Sequence, residues 1–393
     1  MVSTPVYMDN HATTRVDPAV VDAMLPYLSE QYGNAASTSH VFGWDARDVV
    51  EQSRVNMAAA LGVTQRELVF TSGATESNNL ALRGACRRLA RKGKHLVTVV
   101  TEHRAVLDPL ARLAREGFEV TRLAVRQHPD GNAGVIDLDQ LTDVLREDTV
   151  MVSVMMANNE IGVLQPIADV GAICKQREIL LHTDATQAVG RVPVDFDGMG
   201  IDLASFSAHK FYGPKGVGCL YVRRRNPQVR LEAILDGGGH EQGRRSGTLN
   251  VPGIIGMARA LELSVQAIDD ETLRLTGLRK ELYDQLVTGL DRVTLNGPEL
   301  DGERLAGNLN LSFSDVDGEA LMMSMRELAV SSGSACTSAE PEPSHVLRAI
   351  GRSDDETRAS LRFGLGRFNT SEEVGFAANC VIDAVNRLRH MRA

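Results

Sequence analysis

The sequence predicts an α/β fold, with a large domain built on a mostly parallel seven-stranded sheet and a smaller α+β domain. Two features carry this expectation. Between about residues 50 and 225, seven apolar runs of strand length alternate with amphipathic stretches such as SNNLALRGACRRLARKG and VLDPLARLAREG; the runs are ELVFTS, HLVTVV, FEVTRL, TVMVSVMMA, ILLHTDA, DLASFSA and GVGCLYV. That alternation is the mark of strand–helix–strand units and a parallel sheet. After about residue 257 the pattern changes to one long helical stretch, ARALELSVQAIDDETLRLTGLRKELYDQLVTGL, followed by shorter strands and helices. The large domain is expected over 15–257 and the small one over 1–14 plus 258–393, the first dozen residues packing on the second unit.

The polar motifs fall where such a sheet gathers its ligands, just beyond the carboxyl ends of the strands. TSGATESN follows ELVF, TEHRAV follows HLVTVV, NNEIG follows TVMVSVMMA, DATQ follows ILLHT, and SAHKFYG follows DLASF.

At 393 residues the chain is long enough for one large and one small core. Its net charge of -9 argues against nucleic acid as the main ligand, since phosphate backbones demand a basic surface. No apolar run reaches the length of a membrane span. The opening MVSTPVYMDNHATTRVDP has neither the basic end nor the apolar stretch of a signal peptide, so the cytoplasm is the expected compartment.

The five cysteines, Cys86, Cys174, Cys219, Cys336 and Cys380, are far apart and in no CxxC pair, which speaks against a disulfide framework or a zinc site. Four lie in strand or helix patterns and read as small buried apolar residues. Cys336 differs. Its surroundings, SSGSACTSAEPEP, are a small, polar loop with nothing to bury a thiol, a setting for either chemistry or a liability.

SFSAHKFYGPKG carries the strongest chemical signal. Lys210 follows an apolar strand end and precedes a Gly/Pro turn, so it can enter a cavity, where its pKa falls and it can form a Schiff base. Ser207 and His209 flank it within reach of a phosphate; the plain alternative is a surface lysine beside a turn, as Lys215 is read. Asp184 in HTDATQ ends a buried strand and is a candidate partner for a protonated pyridine nitrogen, with a helix N-cap as the simpler role. Ser72 to Glu76 forms a small-residue turn ahead of a helix, a seat for a phosphate or merely a capping box. His103 in TEHRAV can stack on a ring or shuttle a proton, or can be structural. The glycine-rich GGGHEQG is not a dinucleotide fingerprint, and no GxxxxGK[ST] loop is present.

Taken together, MDNHATTRVDP, FTSGATESNN, TEHRAVLDP, NNEIGVLQPI, DATQAVG, SFSAHKFYGPKGVG, GRRSGTLNVP, SSGSACTSAEPEPSHVLRA and LRFGLGRF resemble the NifS/IscS-like cysteine desulfurases, over nearly the whole chain. These are pyridoxal 5'-phosphate enzymes of fold-type I, of the class V aminotransferase kind. The resemblance implies conversion of L-cysteine to L-alanine, with sulfur passing to Cys336 as a persulfide. It implies Lys210 as the lysine bonded to the cofactor, Asp184 at the pyridine nitrogen, and His103 on the ring. Gln187 and Asn159 would hold the phenolic oxygen side, and Ala74, Thr75, Ser207 and His209 the phosphate. Thr248 is similar to a threonine that reaches the phosphate of a neighbouring subunit, so a homodimer is implied. Arg362, with Asn159 beside the substrate, would grip the substrate carboxylate, a bidentate task suited to guanidinium; Arg367 reads as structural. A sulfur-acceptor protein, such as an iron–sulfur scaffold, is the implied partner. No metal site is expected beyond a transient contact of Cys336 with an iron–sulfur cluster. The chain departs from the family at Arg15 and Ala35, where proline is common, and at Ala208, where glycine is common.

Two rivals share much of this machinery. A fold-type I aminotransferase would keep Lys210, Asp184 and the phosphate seat but would not need Cys336. A selenocysteine lyase would share even more.

Overall fold

The computed structural model describes residues 2–332 and 342–392; Cys336 lies outside the described residues. The seven apolar runs form one seven-stranded sheet in the spatial order Leu68–Thr71, Gly218–Val222, Leu203–Ser207, Leu180–Asp184, Thr149–Ser153, His95–Val99, Glu119–Leu123. Gly218–Val222 runs antiparallel to both of its neighbours, and the other pairings are parallel. The fold class is thus the α/β architecture with a mostly parallel sheet.

Successive side chains along a strand point to opposite faces, and both faces of this sheet are buried. Leu68, Phe70, Val97, Val99, Phe206 and Tyr221 enter one core, where the helices Val41–Ala60, Ile167–Gln176 and Val251–Gln266 cover them. Val69, Leu96, Leu203, Leu220 and Val222 enter the other, covered by Ala74–Leu89 and Arg104–Arg115. Burial on both sides explains why these strands read as continuous apolar runs rather than as an alternation.

A four-stranded antiparallel sheet, in the order Ser331–Ser332, Ser360–Gly364, Asn308–Phe313, Val293–Leu295, builds the smaller core with helices Ile268–Gly289 and Ser371–Arg392. Val6 and Met8 belong to this core, and Val6–Tyr7 pairs in parallel with Leu328–Ala329.

The long helical stretch expected after residue 257 is two helices, Val251–Gln266 and Ile268–Gly289, meeting at a bend of 71°. The reason is packing. Ile254, Met257 and Leu261 of the first helix are buried in the large core, whereas Leu275, Leu278 and Leu282 of the second are buried in the small one. One straight rod could not serve both. Among the described residues, no single helix is long and apolar enough to cross a membrane.

Candidate active site

Beyond the carboxyl ends of the parallel strands lies a cleft of about 500 Å³. Nine of the residues singled out in the sequence line it: Ala74, Thr75, His103, Asn159, Asp184, Gln187, Ser207, His209 and Lys210. A larger cavity, of about 710 Å³, opens at the other end of the sheet beside Val150, Leu180 and Asp202 and contains none of them. The smaller cleft is the one with chemistry.

Lys210 closes a short 3-10 turn, Ala208–Lys210, directly after the strand Leu203–Ser207. Its ammonium donates to the backbone carbonyls of His11 and Ala12, both at 2.7 Å. Burial, reinforced by the nearby charges of Arg191 and Arg362, pushes its pKa down to about 7. Arg191 braces the same turn from behind. It donates to the Lys210 carbonyl from Nε at 3.1 Å and Nη2 at 2.9 Å, and to the Asn10 carbonyl at 2.7 Å.

Asp184 is buried at the last position of its strand. Its Oδ2 accepts from Asn78 Nδ2 at 2.8 Å and its Oδ1 from the Thr186 N–H at 3.0 Å. The simpler role weighed for it, a helix N-cap, is not found: residues 186–190 form a turn, which one carboxylate oxygen caps. Beneath it, Glu102 is fully buried and accepts the Met155 N–H; burial first, and then the charge of Asp184, hold its carboxyl well above the ordinary range.

The helix Ala74–Leu89 points its amino end into the cleft. Its N-cap, Gly73, adopts φ 156° and ψ 177°, a region almost closed to residues with a side chain, and supplies no side-chain cap. The first N–H groups of a helix have no partner within it, so Ala74 and Thr75 present free donors and the positive end of the dipole. Ser207 and His209 stand opposite. Burial, with Lys210, Lys215 and Arg191 nearby, lowers the His209 ring to about 4, so it is neutral at physiological pH.

His103 is the N-cap of the helix Arg104–Arg115, and its Nδ1 accepts the Ala105 N–H at 3.0 Å. A neutral ring therefore carries its proton on Nε2. Gln187 is tied to the N-terminal segment, donating from Nε2 to the His11 carbonyl at 2.9 Å.

Arg362, in the strand Ser360–Gly364 of the small sheet, stands behind Asn159 rather than on the cleft wall. It donates to the Asn159 carbonyl at 3.1 Å, to Asp9 Oδ1 at 2.7 Å and to Ser331 Oγ at 2.8 Å, and its buried Nε has no partner among the described residues. Thr248 is exposed and does not line the cleft of its own chain. Arg367 pairs with Asp17 and Glu271, both at 2.8 Å, as a structural arginine would. Cys86, Cys174 and Cys219 are buried, and burial raises each thiol to about 12, which removes them as nucleophiles.

The class-V aminotransferase family matches residues 6–376. A relative described as "Cysteine desulfurase IscS", from Anaeromyxobacter dehalogenans, is 55% identical over 387 residues, covering 98% of this chain and 94% of that one. This chain belongs to the cysteine desulfurases of the class-V aminotransferase family. The solved structure of a "NIFS-LIKE PROTEIN" superposes on this desulfurase with a TM-score of 0.89 at 36% identity, covering 98% of this chain and all of the other. A second, titled "SspA in complex with cysteine", gives a TM-score of 0.78 at 34% identity over 94% of this chain and 100% of that one. The desulfurase family is one of pyridoxal-phosphate enzymes.

Proposed function

We propose that this chain removes sulfur from L-cysteine, releasing L-alanine, with pyridoxal 5'-phosphate bonded to Lys210 and Cys336 as the first sulfur acceptor. The observation that carries the proposal is the Lys210 amine, held at about 7 by burial in a cleft that also contains a helix amino end and a buried carboxylate. The donor set fits the cofactor group by group. An amine about half uncharged near pH 7 suits an aldehyde, the bare N–H groups of Ala74 and Thr75 with Ser207 and His209 suit a phosphate, and Asp184 suits a pyridinium. Asn78 Oδ1, buried at the same wall without a partner among the described residues, leaves a further acceptor for a ligand. When bound, the cofactor supplies a sink for the electrons freed at the substrate Cα.

The residues then divide the work. Asp184 keeps the pyridine nitrogen protonated, and its own position is fixed by Asn78 and Thr186. Gln187 and Asn159 hold the phenolic side. Arg362 binds the substrate carboxylate. Lys210, about half uncharged near pH 7, takes the Cα proton and returns it. The Cys336 thiolate attacks the substrate sulfur; a sulfur–sulfur bond forms, the carbon–sulfur bond breaks, and its electron pair remains with the carbon fragment that is protonated to alanine. His103, with its proton on Nε2, donates a hydrogen bond to the thiolate.

Thr248, exposed beyond its own cleft, belongs in this reading to the phosphate site of a second copy, so the working unit is a homodimer in the cytoplasm. The persulfide passes on to an acceptor protein, of which an iron–sulfur scaffold is the expected kind. Incubation with L-cysteine and a reductant, with alanine and sulfide measured together, tests the proposal. Equal yields of both support it; alanine without sulfide, or neither product, overturns it.

A further inference from the structure

An acidic residue, Glu76, sits in the first turn of the helix whose amino end forms the anion seat, and it lines the cleft. A carboxylate there repels an incoming phosphate. It also has a task, because its Oε2 accepts the Ser72 N–H at 2.7 Å and so folds the Ser72–Gly73 turn over the helix start. Glu76 is paired with Arg245, from Nε to Oε1 at 2.7 Å and from Nη2 to Oε2 at 3.3 Å, with only 17% of the arginine and 12% of the glutamate side chain exposed. Arg245 itself does not line the cleft.

The loop that carries Arg245 is anchored to the strand leading into the seat. Glu241 places both oxygens on Arg54, at 2.7 and 2.9 Å, and accepts the Phe70 N–H at 2.8 Å. Glu241 and Gln242 take φ of 51° and 59°, left-handed values that side chains seldom adopt without tertiary support. The Arg245–Glu76 ion pair and the hydrogen bond from the Phe70 N–H to Glu241 thus fix the loop against residues on either side of the Ser72–Gly73 turn, and the Arg54–Glu241 pair ties it to the helix Val41–Ala60.

We propose that Arg245 is a positioning residue for the cofactor phosphate, acting through Glu76: it cancels the carboxylate's charge at the seat while leaving that carboxylate free to hold Ser72. This rests on the pyridoxal-phosphate reading above. Burial by itself would raise the Glu76 carboxyl, yet the hydrogen bonds from Arg245 and Ser72 hold it below its ordinary range, consistent with a fully ionised group. The plain alternative is an acidic residue that merely complements the helix dipole.

The two accounts separate in the rate at which the visible chromophore leaves the holoenzyme on dilution. Arg245→Gln exposes an unbalanced carboxylate to the phosphate and should speed loss about tenfold, the effect of one nearby charge at a partly buried site. Arg245→Lys should retain the wild-type rate. Glu76→Gln, which keeps an oxygen for Ser72, should not speed loss, and Glu76→Gln combined with Arg245→Gln should restore a rate near wild type. A double variant as leaky as Arg245→Gln alone, or an Arg245→Gln enzyme that holds its cofactor normally, overturns the inference. A wild-type protein that takes up no pyridoxal phosphate overturns instead the reading beneath it.

Discussion

Arg362 gives its shortest hydrogen bond, 2.7 Å from Nη2, to the carboxylate of Asp9, a residue 353 positions away in sequence. The group expected to grip a substrate carboxylate is therefore already engaged by a carboxylate of its own chain. A substrate must share the guanidinium with Asp9 or use its remaining donors, including the buried Nε that has no partner among the described residues.

Arg362→Ala should accordingly raise KM for L-cysteine by at least about tenfold, within the range of a few kcal/mol for a truncated buried charge pair. Asp9→Asn should act in the opposite sense or leave KM unchanged, since it removes the internal competitor. Steady-state alanine release measures both, and an unchanged KM and kcat in Arg362→Ala would exclude the assignment.

Lys210 should show its strained protonation in stability as well as in rate. Its pKa in the folded chain is about 7 against an ordinary 10.5, so between these values the unfolded chain binds the extra proton. Stability then rises with pH across that window, and the cost of the buried ammonium is full only below about pH 7. In protein freed of cofactor, Lys210→Met should therefore be stabilised relative to wild type at pH 6, and the difference should shrink towards pH 10. Thermal unfolding at the two pH values checks the sign.

His103 caps its helix, and substitution can separate that task from the site role proposed for its ring. His103→Ala should lose the helix cap and cost about 1 kcal/mol of stability, together with activity. His103→Asn restores an N-cap oxygen without restoring the ring. It should unfold near the wild-type temperature yet turn over cysteine slowly. Full activity in His103→Asn would confine the residue to capping.

Cys336 should be the sole cysteine required for turnover. Cys336→Ser should still change its visible spectrum on addition of cysteine but release no appreciable alanine. Serine at position 86, 174, 219 or 380 should leave alanine release intact, because burial raises each of those four thiols. Mass spectrometry of the wild type after brief exposure to cysteine should find one added sulfur on the peptide containing Cys336.

The large sheet was legible in the sequence because its strands are buried on both faces and bounded by polar motifs, and those motifs met at one cleft because a parallel sheet aligns its carboxyl ends. The reversed direction of Gly218–Val222 was not legible, since GVGCLYV looks alike read as a parallel or an antiparallel strand. The break at Ala267 escaped notice because both halves are good helix and only their packing partners differ. The supports of the site were hidden for another reason. Asp9, His11, Asn78, Glu102 and Arg191 act on residues far away in sequence, and no periodicity signals such contacts. Asp9, His11, Asn78 and Glu102 lay inside the quoted motifs MDNHATTRVDP, FTSGATESNN and TEHRAVLDP, but nothing in those motifs points to the distant partners.

The N-terminal segment has a consequence for how the molecule is made. Val6–Tyr7 pairs with Leu328–Ala329, Asp9 with Arg362, and His11 and Ala12 with the amine of Lys210. The ribosome produces these first residues more than three hundred residues before their partner strand, an interval on the order of twenty seconds to a minute at ordinary elongation speeds. During that interval the segment can meet Gln187, Arg191 and Lys210 of the large domain but neither its partner strand nor Arg362. The full docking of the amino-terminal segment is thus completed late in the life of the chain, when residues 328 to 362 are made.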